Sequence, residues 1–212
     1  MKYTNLIDIS WPISPTMTAY KDKKVVSFTA TKQFETDQVR ETHVLIGTHT
    51  GTHIDAPAHF LATGETIDKQ SLSRLIGACR VIDLTHCVEK ITASDLALHN
   101  LKPGERILCK TRNSLRSSED LFNPLFIFID HSASIFCVEQ KISAIGVDYL
   151  GIERSQPGHE THTTLLGAGI ALIEGLRLAH VQPGVYGLIC LPLLLDGLDG
   201  SPARAILLEH SS

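Results

Sequence analysis

The sequence predicts a mixed α/β domain whose sheet has both parallel and antiparallel portions. Three observations predict it. Short runs of alternating apolar residues, rich in Val, Ile and Thr, dominate the first half of the chain. Strand and helix signatures alternate through the second half, the order expected of β-α-β units with parallel strands. Two apolar runs near the C-terminus flank an Asp/Gly/Ser/Pro loop, which pairs them antiparallel.

In chain order, the first strand candidates are NLIDIS (5–10), KVVSFTA (24–30), THVLIG (42–47) and CRVIDLT (79–85). TASDLALHNL (92–101) opens with a capping residue, Thr92, and an acid three places on, Asp95, so it reads as a short helix ended before KPGE. Strand RILCK (106–110) follows, then strand LFIFID (125–130), a helix SASIFCVEQK (132–141) led by Ser132, and strand ISAIGVD (142–148). A helix THTTLLGAG (161–169) and an apolar strand IALIEGL (170–176) precede the C-terminal pair of strands between Val185 and His210. No repeat, low-complexity tract or long linker divides residues 1–212, so a single domain is expected.

Composition narrows the function. Apolar residues make up 43% and charged residues 20%, the profile of a soluble globular chain with a sizeable core. A formal charge of −4 with no dense Lys/Arg run argues against nucleic acid or an anionic membrane as the main partner and favours a small molecule. No segment has the length and apolarity of a signal peptide or a membrane span, so a cytoplasmic protein is expected. Cys79, Cys87, Cys109, Cys137 and Cys190 form no C-x-x-C pair and lie mostly in apolar strings, as buried reduced thiols do.

The chemistry concentrates in GTHTGTHIDAPAHF, residues 47–60, which holds His49, His53, Asp55 and His59. Its glycines, threonines and Pro57 make a poor helix, so it is read as extended. A straight strand would separate the α-carbons of His49 and His53 by roughly 13 Å. Metal–nitrogen bonds are only about 2.0–2.1 Å long, so one ion can hold both rings only if the chain bends between them. Gly51 lies midway and supplies that bend. Asp55 adds a hard oxygen beside imidazoles, a mixture suited to Zn²⁺, Mn²⁺ or Fe²⁺, and its two oxygens can bridge two ions. Pro57 ends the strand and turns His59 back as a ligand or proton-transfer group. The alternative is a set of ordinary polar residues on a wet strand edge.

A two-ion site needs a second set of ligands. Glu174 ends an otherwise apolar strand, where an unpaired charge is costly, and so calls for a cation. His162 and His159 compete as its partner, and spacing alone leaves both open. Asp148, in GVDYLGIE, is a turn residue or a carboxylate that orients a ligand histidine. His43, His86, His99, His131, His180 and His210 read as surface or capping residues, and Arg112 and Arg204 as surface arginines that could alternatively meet a substrate carboxylate.

HTGTHIDAPAH, from His49 to His59, resembles the H-x-G-T-H-x-D-x-P-x-H signature of the cyclase-type metal-dependent hydrolases, which include bacterial kynurenine formamidase (arylformamidase) and isatin hydrolase. IDISWPISPTM, IGVDYLGIE, HTTLLGAGIALIEGL and DGSPARAIL also look like family segments, so the resemblance spans nearly the whole chain. It implies that His49 and His53 bind a first metal, that Asp55 bridges two metals, and that His59 is the catalytic acid/base. In the family the second-half histidine stands twelve positions before the bridging glutamate, which selects His162 for Glu174. The implied fold is a swivelling β/β/α domain assembled as homodimers or homotetramers. The implied cofactors are two divalent ions per subunit, Zn²⁺ or Mn²⁺. One segment departs from the family: TAYKDKK stands in place of a tryptophan-proline-glycine-aspartate stretch, putting Tyr20 where the substrate-pocket tryptophan would be.

The implied reaction is metal-assisted hydrolysis of an N-formyl or cyclic amide, with His59 passing a proton to the leaving nitrogen. No serine or cysteine nucleophile is required, and no G-x-S-x-G elbow is present. A cyclic-amide or lactone hydrolase of isatin-hydrolase type and a non-catalytic metal-binding module are the competing readings.

Overall fold

The computed structural model describes residues 3–210, with side chains from 5 to 209, so the expectation for the His210 side chain lies outside the described residues. The chain opens with β1 (Tyr3–Asp8), then an arm made of β2 (Ser27–Lys32), the single turn α1 (Phe34–Asp37) and β3 (Glu41–Leu45). β4 (His53–Asp55), β5 (Ile76–Asp83), β6 (Lys90–Ile91), α2 (Ala93–Ala97), β7 (Arg106–Lys110), β8 (Phe128–Ile129) and α3 (His131–Glu139) follow. β9 (Ala144–Val147), α4 (Glu160–Gly167), β10 (Ala171–Glu174), β11 (Gly184–Pro192) and β12 (Gly200–His210) complete it.

The main sheet runs β1-β12-β11-β5-β7-β9-β10-β4, and β4 also pairs with β12, so seven strands close on themselves with β1 added outside. β5, β7, β9 and β10 are mutually parallel, whereas β10–β4, β4–β12, β12–β11 and β11–β5 are antiparallel. This is the mixed sheet expected from the sequence. Both faces of the parallel strands are covered, which is why they read as near-continuous apolar runs. Leu108, Ala171 and Ile173 join Ile54, Leu188 and Leu207 inside the closed sheet. Their neighbours Ile107, Cys109 and Leu172 point the other way, against the helical layer with Leu96, Ala133, Cys137 and Leu165. A third cluster, Trp11, Met17, Phe126, Phe128, Tyr149 and Leu150, packs apart from these two.

The structure corrects several element readings. KVVSFTA and THVLIG do not enter the sheet: β2 and β3 pair only with each other, and every residue of both is exposed. LFIFID shrinks to Phe128–Ile129, paired with the unforeseen β6 and not with the main sheet. α3 starts at His131 with Asp130 as its cap, two residues before the expected lead at Ser132, because the Asp130 carboxylate accepts from the Ala133 N–H at 3.0 Å. α2 has the expected capping box of Thr92 and Asp95 but ends at Ala97.

Candidate metal centre

β4 is three residues long because its neighbours bend away from it. Gly51, at φ +63°, turns the chain into it, and Pro57 opens a single 3₁₀ turn, Pro57–His59, just after it. The turn at Gly51 folds His49 back, so its ring centroid lies 5.1 Å from that of His53. The 3₁₀ turn stacks His59 on His49 at 3.8 Å between centroids. His53 and Asp55 flank Ile54 on β4; with Ile54 inside the closed sheet, alternation sends both of them out toward the helical face. Glu174 is opposite His53 in the β10–β4 register and shares the face of Leu172. β4 is thus paired on both sides and buried, unlike the wet edge of the alternative reading.

The donor atoms separate into two groups around the two carboxylates. Asp55 Oδ1 lies 2.8 Å from His49 Nδ1 and 3.3 Å from His53 Nε2, and His53 Nε2 is also 3.3 Å from Glu174 Oε2. On the other side, His162 Nε2 lies 3.4 Å from both Asp55 Oδ2 and Glu174 Oε1. Both carboxylates therefore face two sets of nitrogens, one with each oxygen. His162 projects from the first turn of α4 between buried Thr161 and Leu165. His159 does not join them: in a left-handed conformation at φ 53°, it caps α4 and directs Nδ1 to Glu153.

The electrostatics suit cations. Asp55 and Glu174 are 1% and 4% exposed, and among the described residues no Lys or Arg lies within ion-pair distance of either. Burial alone would raise both carboxyls, but the surrounding histidines hold Asp55 well below the usual carboxylate range and lower Glu174. Burial opposes a proton on His53, yet Asp55 and Glu174 push it up to about 10. The same balance, with Glu153 added, pushes His162 up to about 12. Without a cation the histidines must carry positive charge to balance the carboxylates. Imidazole nitrogens and carboxylate oxygens converging on shared points form a donor set that fits divalent transition ions.

Two of these three histidines are held through the other ring nitrogen, and the third faces a carboxylate there. His53 Nδ1 donates to the Gly51 carbonyl at 2.9 Å, and His49 Nε2 donates to Asp199 Oδ2 at 3.0 Å. His162 Nδ1 lies 3.1 Å from Glu153 Oε2, short of hydrogen-bond alignment. Sequence reasoning missed Asp199 and Glu153. Asp199 lies in the DGLDGSPAR loop, and Gly200 after it leaves room for the His49 ring, since a Cβ there would stand 2.7 Å from His49 Cε1. Within GVDYLGIE the residue singled out was Asp148, but that buried carboxylate instead accepts from the N–H and hydroxyl groups of Thr111 and Ser114, away from the histidines.

A cavity of about 330 Å³ opens over the centre, lined among others by Tyr20, Phe60, Leu150, Glu153 and His159. A neighbouring cavity of about 250 Å³ shares Tyr20, His49 and Leu150 and adds Met17, Lys23 and Val26. Tyr20 thus stands at the wall of the site, its ring against Phe122 at 4.9 Å. Arg112 donates to the Cys87 carbonyl and Arg204 pairs with Asp8, and neither lines these cavities.

Residues 7–154 match the profile of the Cyclase family. The kynurenine formamidase of Salinibacter ruber is 31% identical over 95% of this chain and 96% of its own, and that of Bacillus cereus (strain ATCC 10987) is 32% identical over 98% and 99%. A solved structure described as a potential metal-dependent hydrolase with cyclase activity superposes with a TM-score of 0.88 at 38% identity, covering 98% of this chain and 99% of that one. Isatin hydrolase A of Ralstonia solanacearum shares the fold, with a TM-score of 0.85 at 20% identity over 97% of this chain and 92% of that one. With the family match covering residues 7–154, which carry His49, His53 and Asp55, and full-length relatives above 30% identity that also span His162 and Glu174, the chain belongs to the Cyclase family.

Proposed function

We propose that the protein is a metal-dependent amide hydrolase of arylformamidase type, cleaving an N-formyl amide such as N-formylkynurenine, with two divalent cations per subunit. The observation that carries this reading is the division of donor atoms around Asp55 and Glu174. His49 and His53 face one oxygen of Asp55, and His162 faces the other. His49, His53, Asp55, His162 and Glu174 would hold the cations, Zn²⁺ or Mn²⁺. Bound there, such ions supply Lewis acidity, lowering the pKa of water from about 15.7 to about 7 and polarising a carbonyl oxygen.

His59 is the proton carrier in this reading. Burial pulls it below its ordinary value, with His49 and His162 adding to the effect and Asp55 and Glu174 opposing it. A neutral imidazole at pH 7 can take a proton from water and hand it to the departing nitrogen. Tyr20, Phe60 and Leu150 wall the cavity, where Tyr20 can stack on an aryl group while the apolar lining excludes bulk water. Metal-loaded His59→Ala should keep its cations and lose about 10²–10⁴-fold in kcat, measured by release of formate from N-formylkynurenine, with isatin and simple lactones as comparison substrates. Turnover at the parent rate would remove His59 from the chemistry, and no turnover by the parent on any of these amides would favour a binding module.

The proposed working form is a homodimer or homotetramer in the cytoplasm. Phe28, Phe34, Val39, Val44 and Leu45 stand 45–65% exposed on one arm, an apolar surface suited to a second copy of the chain. The five buried free thiols suit a reducing compartment. Light scattering should give a multiple of 23.2 kDa, reduced by Val44→Asp; a parent monomer at tens of micromolar would overturn the assembly.

A further inference from the structure

Far along the chain from GTHTGTHIDAPAHF, three donors of different chemistry meet where β5 leads toward α2. His86 Nε2 lies 3.4 Å from Asp95 Oδ1 and 3.6 Å from Cys87 Sγ, and one donor atom from each residue lies within 4.8 Å of the other two. Tetrahedral bonds of about 2.3 Å to sulfur and about 2.0–2.2 Å to nitrogen or oxygen place neighbouring ligand atoms about 3.3–3.6 Å apart. The two measured edges are those of such a site.

Two of the three groups, Asp95 and Cys87, are also held by partners outside the trio. Asp95 spends Oδ2 on the Thr92 N–H at 2.8 Å and the Thr92 hydroxyl at 2.6 Å, which leaves Oδ1 toward His86. Cys87 is 5% exposed, with its N–H on the Leu84 carbonyl at 3.0 Å and its own carbonyl accepting from Arg112 at 3.1 Å. His86 has a half-exposed side chain, which leaves solvent a route to a fourth corner. Arg112, on the Cys87 carbonyl, opposes another positive charge, and a thiolate with a carboxylate outweighs it.

We propose that His86, Cys87 and Asp95 form a separate, thiolate-containing site for a borderline-soft divalent cation of the Zn²⁺ class, with water as the fourth ligand. Sulfur and imidazole exclude Ca²⁺ and Mg²⁺, which take oxygen. On binding, the Cys87 thiol releases its proton to solvent and the cation ties the β5–β6 connection to the first turn of α2.

The test uses the metal-stripped full chain titrated with Co²⁺. A cobalt–thiolate bond gives a near-ultraviolet sulfur-to-metal charge-transfer band, which a centre of imidazole and carboxylate ligands cannot produce. The parent protein should show this band and bind one Co²⁺ more per chain than Cys87→Ser, which should lack the band and keep the parent hydrolytic activity. Should Cys87→Ser fold poorly, His86→Ala changes a half-exposed ring and should also lose the band with an unchanged circular dichroism spectrum. Absence of the band from the parent, its survival in both variants, or equal cobalt stoichiometry in all three overturns the proposal. Failure of the hydrolase reading is distinguishable, because it removes turnover and leaves the thiolate band in place.

Discussion

His49 shows how a proposed ligand side chain is fixed from behind: one ring nitrogen faces Asp55 and the other donates to Asp199. Asp199 also stands 3.6 Å from His59 Nδ1, so one carboxylate faces both the proposed ligand and the proposed proton carrier. Glu153 does the corresponding work for His162, accepting its backbone N–H at 3.3 Å while facing its ring. Partners of this kind, when removed, typically cost about 10–100-fold in metal affinity or activity. Asp199→Ala should therefore weaken one cation by about that factor, Glu153→Gln the other, and each should leave its companion nearly unchanged. Metal titration of the two variants checks this, and parent affinity for both cations in both variants would remove the positioning roles. Residue types and spacing brought His49, His53, Asp55 and Glu174 forward as candidate donors, whereas spacing left His162 and His159 open and only the family resemblance selected His162. Asp199 and Glu153 were not, because a supporting carboxylate has no spacing rule: tertiary contact selects Glu153 over Asp148, five residues earlier in the chain.

At the scale of elements, legibility follows burial. Strands β5, β7, β9, β10, β11 and β12 lie in the main sheet where apolar runs indicated them, since burial on both faces writes itself into composition. LFIFID misled because Phe126 and Ile127 are buried outside any strand and only Phe128 and Ile129 pair, and an apolar run reports burial without reporting ladder pairing. β4 lies between the Gly51 bend and the Pro57 stop that the sequence indicated, and only three residues between them pair. The start of α3 was displaced because Asp130 and Ser132 both suit a cap, and the hydrogen bond of Asp130 to the Ala133 N–H decides between them. Burial favours a raised Asp130 carboxyl, but Ser132, the Ala133 N–H and Lys90 more than offset it and hold it below the ordinary value. With the folded value depressed, its contribution is fully present above the unfolded value of about 3.9 and is lost as pH falls through the folded value. Asp130→Ala should cost about 0.5–2 kcal/mol near pH 7. In urea unfolding, that difference should stay constant down to roughly pH 5 and shrink with further acid; a difference that grows on acidification would contradict the capping account.

For the whole molecule, the decisive feature is that the closure of the sheet and the candidate metal centre share the short strand β4. β4 joins β10 to β12, and two of its three residues, His53 and Asp55, carry donor atoms of the candidate centre. The junction is tight. Gly175, at φ +72°, follows Glu174 so closely under the Gly51 turn that a Cβ would stand 2.2 Å from the Gly51 carbonyl oxygen. Cations bound at Asp55 and Glu174 would thus tie β4 to β10 and α4, and unfolding would release them, so metal and fold are thermodynamically linked. The linkage predicts a stabilisation of RT ln(1 + [L]/Kd), about 2.7 kcal/mol for one site at a free cation concentration a hundred times its Kd. Chelation should therefore lower the melting temperature, and readdition of Zn²⁺ or Mn²⁺ should restore it in proportion to the logarithm of free metal. Hydrogen exchange should place the gain in the β4 amides and their partners in β10 and at the start of β12, more than in the exposed β2–β3 arm. Uniform protection across the arm and the closed sheet, or a melting temperature indifferent to chelator, would separate the centre from the closure. A metal-dependent change confined to β4, β10 and the start of β12 would mean that the residues proposed to hold the cations are also those that complete the fold.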